Sequence, residues 1–420
     1  MNTSADRVYL DHAATSPTRP EAIEAFVDQS QRIGNASSLH TAGRGTKLRV
    51  EDARDRLAAV LGAHPTEVIY TSGGTESDNL GLQGLYHARH RRDPRRHQIL
   101  FTGIEHAAVI DTLEALEAHH GAELIQVPVD ATGRVEVEAW KDAIDQHADQ
   151  LALATMMYAN NEIGTVQPIA ELAEATAAAE LPFHVDAVQA FGALELHFDH
   201  PGVTTMAISG HKIGAPIGIG ALLVRRDAQV APVLFGGGQE RDIRSGTMAS
   251  ALIVSFTAAA EVATANQQVE RERLSGLRDR LIAGIQQAVP EAQLQGDQDR
   301  DPETGQHVPV GTRRLPGNVH FCFPGCEGDS LLFGLDMAGI ESSTGSACTA
   351  GVSRPSHVVS ATGADEQMAR STQRFSLGYT TTEADIQAVL SVLPGVYASA
   401  QRAGMAGQDS HIVTANSYRG

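Results

Sequence analysis

Short apolar runs alternate with longer helix-like segments along the first half of this chain. The runs are typical of buried strands, and segments such as 107–119 and 169–180 repeat their apolar residues with the helical period. This alternation predicts an α/β fold with a mostly parallel or mixed central sheet. In such sheets, ligands bind where the carboxyl ends of strands meet the starts of helices. The predicted strands are 68–71, 99–102, 124–129, 151–155, 183–185, 205–208 and 220–224.

The charge balance and the cysteine content exclude several classes of protein. The chain has 420 residues and a formal net charge of −19, which argues against a surface built for nucleic acid or an anionic membrane. The basic run 89–96 is best interpreted as a solvated helix end or loop. Three cysteines cannot form a disulfide framework, which fits a reducing compartment. With no signal-peptide pattern at the N-terminus and no apolar stretch long enough for a bilayer, we expect a cytoplasmic protein.

The second half of the chain changes character. Residues 251–288 have a helical period and many charges, and they are expected to lead into a second region. Residues 296–317 are rich in Gly, Pro and Asp, which predicts an exposed excursion. Beyond it, a smaller α+β unit and, from about residue 403, a frayed tail are expected. The strands predicted in this unit are 318–323, 339–342 and 374–377.

Three polar sites follow predicted strands of the first half. Ser72-Gly73-Gly74-Thr75-Glu76 lies between a strand and a helix, where glycines and a helix N-terminus can cradle a phosphate. Asp186 and Lys212 each stand at a strand end. Taken singly, they are at least as well explained as a plain turn, a helix N-cap and a surface lysine.

Together, however, these sites match the needs of pyridoxal 5′-phosphate. The phosphate requires amides and hydroxyls, the pyridine nitrogen requires a carboxylate, and the aldehyde requires a lysine. His106 also follows a strand and could stack on the ring, although most of the 18 histidines must be ordinary core or surface residues.

The cysteines fall into two different settings. Cys348 lies in GSACTAG, among residues too small to bury it, which suggests a thiol that acts as a reagent on a mobile loop. Cys322 and Cys326 form a C-x3-C pair, but a metal site would need further ligands at suitable spacing. We therefore expect a core role for Cys322 and no metal site.

Long, ordered motifs carry a resemblance to a known family. The chain closely resembles the cysteine desulfurases of the NifS/IscS type, which are fold-type I pyridoxal phosphate enzymes of the class V aminotransferase family. The resemblance runs from Tyr9 to about Gly395 and departs mildly at Ala215 and Ile217. Its motifs are YLDHAAT (9–15), GNASSLH (34–40), TSGGTESDNL (71–80), EHAAV (105–109), NNEIGTVQPI (160–169), HVDAVQ (184–189), SGHK (209–212), GGGQERDIRSGT (236–247), SSTGSACTAG (342–351) and RFSLG (374–378).

The resemblance implies a fold and a set of residue roles. It implies a large mixed-sheet domain (16–260) that binds the cofactor, a smaller α+β domain (1–15 with 261–400) that carries the Cys348 loop, and a tail (401–420). For the cofactor, the resemblance implies that Lys212 holds it, Asp186 contacts the pyridine nitrogen, Gln189 contacts the phenolic oxygen, and the phosphate is bound by Gly74, Thr75, Ser209 and His211. His106 is implied to stack on the ring and to handle substrate protons. For the substrate, it implies that Asn161 and Arg374 clamp the carboxylate, that Asn35 makes a further contact, and that Cys348 is the catalytic thiol.

The resemblance also implies an activity and partners. It implies conversion of L-cysteine to L-alanine, with the sulfur left as a persulfide on Cys348. Thr247 resembles a phosphate ligand that the family supplies from the other subunit, so a homodimer is implied. An iron–sulfur scaffold protein or a tRNA thiolation enzyme would accept the sulfur. The alternatives are a selenocysteine lyase or a cysteine-sulfinate-type lyase on the same scaffold, or a degenerate member kept as a protein-interaction module.

Overall fold

The computed structural model describes residues 7–302, 304–345, 348–349, 352–353 and 355–410, with only the backbone for 348–349, 352–353 and 404–410. The α-helices are α1 Pro20–Ser30, α2 Thr41–Val60, α3 Gly74–Arg92, α4 Ala107–His120, α5 Val137–His147, α6 Ile169–Ala178, α7 Ser250–Ala265, α8 Gln267–Ala288, α9 Gly328–Met337, α10 His357–Ala361, α11 Glu366–Arg370 and α12 Glu383–Ser410. The strands are β1 Val8–Tyr9, β2 Val68–Thr71, β3 Gln98–Thr102, β4 Glu123–Val127, β5 Leu151–Met157, β6 Phe183–Asp186, β7 Thr205–Ser209, β8 Gly220–Val224, β9 Gln293–Leu294, β10 Asn318–Cys322, β11 Ile340–Glu341, β12 Cys348–Thr349, β13 Val352–Ser353 and β14 Thr372–Ser376.

A mixed seven-stranded sheet forms the centre of the first half of the chain. Its strand order is β2-β8-β7-β6-β5-β3-β4. Only β8 runs antiparallel to its neighbours, and the other pairs are parallel. Every residue of β2 and of β5 to β8 is buried, which explains why these strands are continuous apolar runs. The sheet confirms the predicted α/β fold, and each predicted strand of this half corresponds to one of its strands.

Helices cover the sheet, and one helical prediction is wrong in detail. The predicted helices 107–119 and 169–180 correspond to α4 and α6. The single segment expected over 251–288 is two helices, because the backbone of Asn266 leaves the helical conformation at φ −105° and ψ 6°. The first of these, α7, packs against α1 and α2, whereas α8 packs against α12.

A smaller antiparallel sheet lies in the second half. Its order is β14-β10-β9, and the short strand β1 from the N-terminal part pairs in parallel with β11. Its apolar cluster includes Leu10, Phe321, Phe323 and Phe375 and is separate from the cluster around the large sheet. Cys322 is fully buried in β10, in agreement with the predicted core role. Among the described residues, no group of three His, Cys, Asp or Glu side chains could hold a metal ion.

The predicted exposed excursion is partly buried, which corrects the expectation for residues 296–317. Asp297, Asp299 and Arg314 are each buried. Asp299 pairs with Arg278 at 2.9 Å, while the Arg314 guanidinium donates to the backbone carbonyls of residues 295, 297 and 318. Polar composition predicts exposure only while charges lack partners, and here every buried charge has one.

Helices extend into the C-terminal part of the chain and into the basic run. The frayed tail expected from residue 403 is wrong for residues 403–410, which continue α12, and the rest of the expected tail lies outside the described residues. The basic run 89–96 begins within α3, which ends at Arg92, so its interpretation as a helix end agrees with the structure. Within the described part of the chain, no helix combines the length and apolarity needed to cross a membrane.

Candidate functional site

One cavity lies where the strands of the large sheet end. Its volume is about 420 Å³, and it opens beside the carboxyl ends of β5, β6 and β7. Side chains from both halves of the chain contribute to its walls. Of the residues singled out from the sequence, the cavity wall contains Gly74, Thr75, His106, Asn161, Asp186, Gln189, Ser209, His211, Lys212 and Arg374.

An anion cradle forms at the start of α3. Gly73 has φ +153°, a conformation that favours glycine, and Gly74 is the first helical residue. A Cβ added at Gly74 would lie 2.8 Å from the Val188 side chain, so a glycine is needed for this close packing. The Ser209 hydroxyl is buried nearby and has no hydrogen-bond partner. Free amides at a helix N-terminus and an unpartnered hydroxyl together suit a phosphate group.

Asp186 is a buried carboxylate at the end of β6. Its Oδ1 accepts a hydrogen bond from the backbone N–H of Val188 at 2.9 Å, which is the one hydrogen bond that the described residues provide. Burial raises the pKa of Asp186, although His106 and Lys212 oppose that shift. A cationic N–H placed against the second carboxylate oxygen would restore the charged form.

Lys212 is held at the floor of the cavity by backbone oxygens. Its ammonium donates to the carbonyls of Ala13 and Ala14. Burial, assisted by the nearby Arg374 guanidinium, lowers the pKa of Lys212 to about 8. A substantial fraction of the amine is therefore neutral near physiological pH and available as a nucleophile or base.

His106 and His211 are two imidazoles in the cavity wall whose pKa values favour the neutral form. His106 caps α4, and its Nδ1 accepts from the Ala108 N–H at 3.1 Å. Burial lowers the pKa of His106, and it also lowers the pKa of His211 to about 4. His211 Nδ1 lies 3.3 Å from the Thr15 hydroxyl. Neutral His106 accordingly carries its proton on Nε2.

Arg374 reaches the cavity from β14, in the smaller sheet. One guanidinium N–H donates to the Asn161 carbonyl at 2.9 Å and another donates to Asp11 at 2.8 Å. Its Nε is buried without a partner. The planar guanidinium is thus fixed in direction beside Asn161, which suits it to bind a carboxylate.

Three predicted site residues are not brought into this cavity. Asn35 lies outside it, and its side-chain oxygen accepts from the Ser37 N–H at 2.9 Å. Thr247 lines a separate cavity of about 80 Å³ beside Arg244. For Cys348 the structure describes only the backbone, in β12, so the predicted role of its thiol lies outside the described atoms.

Other lining residues were not predicted from the sequence as site residues. Asp78, Glu162 and His357 line the same cavity. Glu162 falls inside the motif NNEIGTVQPI, so the sequence did indicate that its loop could contribute to the site. His357 lies outside the recognised motifs, so no sequence pattern indicated that it would line the cavity.

A family model and a curated relative both match most of this chain. The family model described as aminotransferase class-V matches residues 8–389. An "IscS-like cysteine desulfurase" of Mycobacterium tuberculosis is 49% identical over 95% of this chain and 98% of that protein.

Solved structures agree as well. A structure described as a NifS-like protein superposes with a TM-score of 0.83 at 30% identity, covering 94% of this chain and 100% of that one. A structure described as SspA in complex with cysteine superposes with a TM-score of 0.71 at 30% identity, covering 88% of this chain and 98% of that one. The chain therefore belongs to the aminotransferase class-V family.

Proposed function

We propose that this protein is a pyridoxal phosphate-dependent cysteine desulfurase, which converts L-cysteine to L-alanine and transfers the sulfur to Cys348. The observation that carries the proposal is the grouping of an anion cradle, a buried Asp186 and a low-pKa Lys212 around one cavity. The names of the similar proteins support the choice of cysteine as substrate, since relatives are called cysteine desulfurases and one solved structure contains cysteine.

The residues fit pyridoxal phosphate on the chemistry of their donors. The unpartnered Ser209 hydroxyl and the amides at Gly74 and Thr75 suit the phosphate, with His211 beside them. Asp186 suits the pyridine nitrogen, because a buried carboxylate with one hydrogen bond needs a cationic partner. Gln189 suits the phenolic oxygen, although its amide now donates to the Ala13 carbonyl at 2.9 Å.

Lys212 and His106 supply the proton chemistry of the chain itself. When bound, pyridoxal phosphate supplies an electron sink for bonds broken at the substrate's carbon atoms. Lys212 would hold the cofactor, and its amine, when neutral, would take the proton from the substrate Cα. His106 lines the cavity and carries its proton on Nε2, so it would lie against the cofactor ring as a hydrogen-bond donor.

Arg374, Asn161 and Asn35 are proposed to hold the substrate. The guanidinium of Arg374 is oriented by its hydrogen bonds to Asn161 and Asp11, so its remaining N–H donors are already positioned to bind a carboxylate. Asn35 lies outside the cavity of its own chain, and its contact with substrate is proposed from the resemblance of the motif GNASSLH.

Cys348 is proposed to collect the sulfur. Its thiolate attacks the sulfur of the bound cysteine, the substrate's C–S bond breaks, and the sulfur remains on Cys348 as a persulfide. The carbon fragment takes up a proton and leaves as L-alanine. The two buried cysteines cannot share this role, because burial raises the pKa of Cys322 to about 12 and of Cys326 to about 11.

A homodimer is part of the proposal. Thr247 lies outside its own chain's cavity, which is compatible with its binding the phosphate in the partner's cavity. We infer that the sulfur passes to an iron–sulfur scaffold protein or a tRNA thiolation enzyme in the cytoplasm. The acidic net charge of −19 supports a protein acceptor over direct contact with nucleic acid.

The division into domains is proposed as well. A large domain (16–260) is supported by the apolar cluster around the seven-stranded sheet. A small domain (1–15 with 261–400) is supported by a second cluster, which joins Leu10 to residues from 277 to 400. Residues 401–420 are proposed as a C-terminal segment outside both domains, and its residues 401–410 continue α12.

The test is product formation from L-cysteine. Wild-type holoenzyme with a thiol reductant is expected to release alanine and sulfide in equal amounts. Lys212→Ala and Cys348→Ala are expected to release neither, whereas Cys326→Ala serves as the matched cysteine control and keeps activity. A Cys348→Ala variant that still turned over selenocysteine or cysteine sulfinate at the wild-type rate would favour a lyase instead.

A further inference from the structure

A second buried carboxyl group lies in the wall of the cavity. Asp78 follows the anion cradle on α3, is 1% exposed, and lines the same cavity as Asp186. Its Oδ1 lies 3.2 Å from His184 Nε2, and His184 Nδ1 lies 2.9 Å from the Thr205 hydroxyl. The roles proposed above leave this buried chain of Asp78, His184 and Thr205 without a use.

The direction of these hydrogen bonds follows from Thr205. In the part of the chain that the structure describes, the Thr205 hydroxyl has only the His184 ring as a partner, so its hydrogen is satisfied only by donation to Nδ1. Burial lowers the pKa of His184 to about 3, so the ring is neutral and carries its own hydrogen on Nε2. Asp78 Oδ1 accepts that hydrogen. A proton held by Asp78 therefore lies on Oδ2.

The fold places Asp78 on the same face of β6 as Asp186. His184 and Asp186 are two residues apart on this strand, so their side chains lie on one face, about 7 Å apart along the strand. A Cβ added at Gly81 would lie 2.6 Å from His184 Nδ1, so α3 needs a glycine there to pack against the ring. Asp78 contacts His184 from α3 and thus approaches the face that carries Asp186.

The two carboxyl groups differ in how well they tolerate a charge. Buried carboxylates close together do not both ionise, because each raises the free energy of a charge on the other. His106 and Lys212 stabilise the charged form of Asp186. For Asp78, burial and the charges of Asp186 and Glu105 all raise the pKa, well above its usual range. The negative charge is therefore favoured on Asp186 and the proton on Asp78.

No cation of the cavity is hydrogen-bonded to Asp78. Among the described residues, Lys212 donates to the carbonyls of residues 13 and 14, and Arg374 donates to Asn161 and Asp11. The titratable and charged groups around Asp78 are His106, Glu162, Asp186, His211, Lys212, His357 and Arg374 in the cavity wall, with Glu105 and His184 buried behind it. An ionised Asp78 would thus have one neutral donor, the His184 ring, and no cationic partner.

We propose that Asp78 keeps its proton at neutral pH, so that Asp78 and Asp186 carry one negative charge between them and that charge stays on Asp186. The use of this arrangement rests on the proposed function, in which Asp186 faces the pyridine nitrogen. One carboxylate then matches one cationic N–H, whereas a second buried anion would lack a partner. Asp78 is a positioning residue, which acts through Asp186.

The experiment detects the protonated carboxyl group by infrared spectroscopy of the holoenzyme at pH 7. A protonated carboxyl group and a carboxylate absorb at different frequencies, and carbon-13 in the aspartate carboxyl groups shifts only the bands that come from aspartate. Asp78→Asn keeps an acceptor for His184 and has no acidic proton. Asp111→Asn, exposed on α4, is the matched control. The visible absorbance of the bound cofactor is followed across pH in the same proteins.

We expect a band of protonated aspartate in the wild type, which moves with the isotope and so does not come from Glu105. The band should disappear in Asp78→Asn and remain in Asp111→Asn. The midpoint of the absorbance profile should shift by less than about half a pH unit in Asp78→Asn, because an amide and a protonated carboxyl group carry the same charge and Asp186 stays ionised.

Three results would overturn the proposal. A wild type without an isotope-sensitive band would show that its aspartates are all ionised, and this result needs no variant. A band that persists in Asp78→Asn would place the proton on a different aspartate. Loss of the band together with a larger shift of the absorbance profile would place the wild-type proton on Asp186. Alanine formation is measured on the same wild-type sample, and its absence would instead count against the desulfurase function.

Discussion

Removing the Ser209 hydroxyl should stabilise the cofactor-free protein against unfolding and weaken the binding of pyridoxal phosphate. Ser209 ends β7, is 1% exposed, and its Oγ has no hydrogen-bond partner. In the absence of a ligand, such a buried hydroxyl costs about 1–3 kcal/mol of unfolding free energy. Ser209→Ala removes the oxygen and leaves the methylene carbon, so the cofactor-free variant should be more stable than wild type by about 1 kcal/mol or more.

The same substitution should weaken cofactor binding. If Ser209 donates to the phosphate, the bond is charge-assisted and contributes about 1.5–3 kcal/mol. Its loss should raise the Kd for pyridoxal phosphate about 10- to 100-fold.

The assay compares two variants in two states. Urea unfolding of the cofactor-free protein reports stability, and titration with pyridoxal phosphate, followed by its visible absorbance, reports affinity. Thr155→Val is the matched control, because the Thr155 hydroxyl is also buried without a partner but lies outside the cavity. It should stabilise the chain to a similar extent and leave the affinity unchanged. A Ser209→Ala variant that bound the cofactor as tightly as wild type would refute the assignment.

Three further predictions follow from individual groups. Arg374→Lys keeps a positive charge but loses the planar guanidinium that contacts Asn161 and Asp11. The KM for L-cysteine should therefore rise about tenfold, while the rate of alanine formation at saturation changes less. An unchanged KM would contradict the role of Arg374 in binding the substrate carboxylate. Burial raises the pKa of Glu105 to about 8, above its value in the unfolded chain. The contribution of the protonated carboxyl to the free energy of unfolding is therefore fully present at acid pH and is lost as the pH rises through about 8. In urea unfolding, Glu105→Gln should therefore match wild type near pH 5 and exceed it near pH 9, and a wild type with no such relative loss would disprove the burial argument. Iodoacetamide at pH 7 should modify no more than one of the three cysteines in the native protein and all three in urea, because the pKa values of Cys322 and Cys326 are raised to about 12 and 11; rapid native labelling of either would count against their burial.

The large sheet was predictable because its strands are buried on both faces. Such strands must be apolar throughout, so runs like 151–155 stand out against the amphipathic helices between them. The position of Asp186 in the cavity wall was predictable for the same reason, since a carboxylate at the end of a buried strand needs a partner, whereas Ser209 was singled out only through the resemblance of its motif.

Features that depend on tertiary contacts were not predictable. The burial of Asp299 depends on Arg278, which lies on α8, and nothing in the local sequence of residues 296–317 signals that partner. The place of His357 depends equally on Glu162 and Glu105, which come from a distant part of the chain. The break at Asn266 interrupts a helical pattern that is otherwise continuous, so the periodicity alone could not reveal it.

The most direct test of the account is to locate the sulfur after the holoenzyme has met L-cysteine. The protein is incubated without a reductant, quenched with an alkylating agent, and digested for peptide mass spectrometry. We expect one additional sulfur atom on the Cys348 peptide, with alanine in matching amount, and none on the peptides of Cys322 and Cys326. Alanine released with no sulfur added to Cys348 would contradict the central claim, because the sulfur would then leave without passing through that thiol.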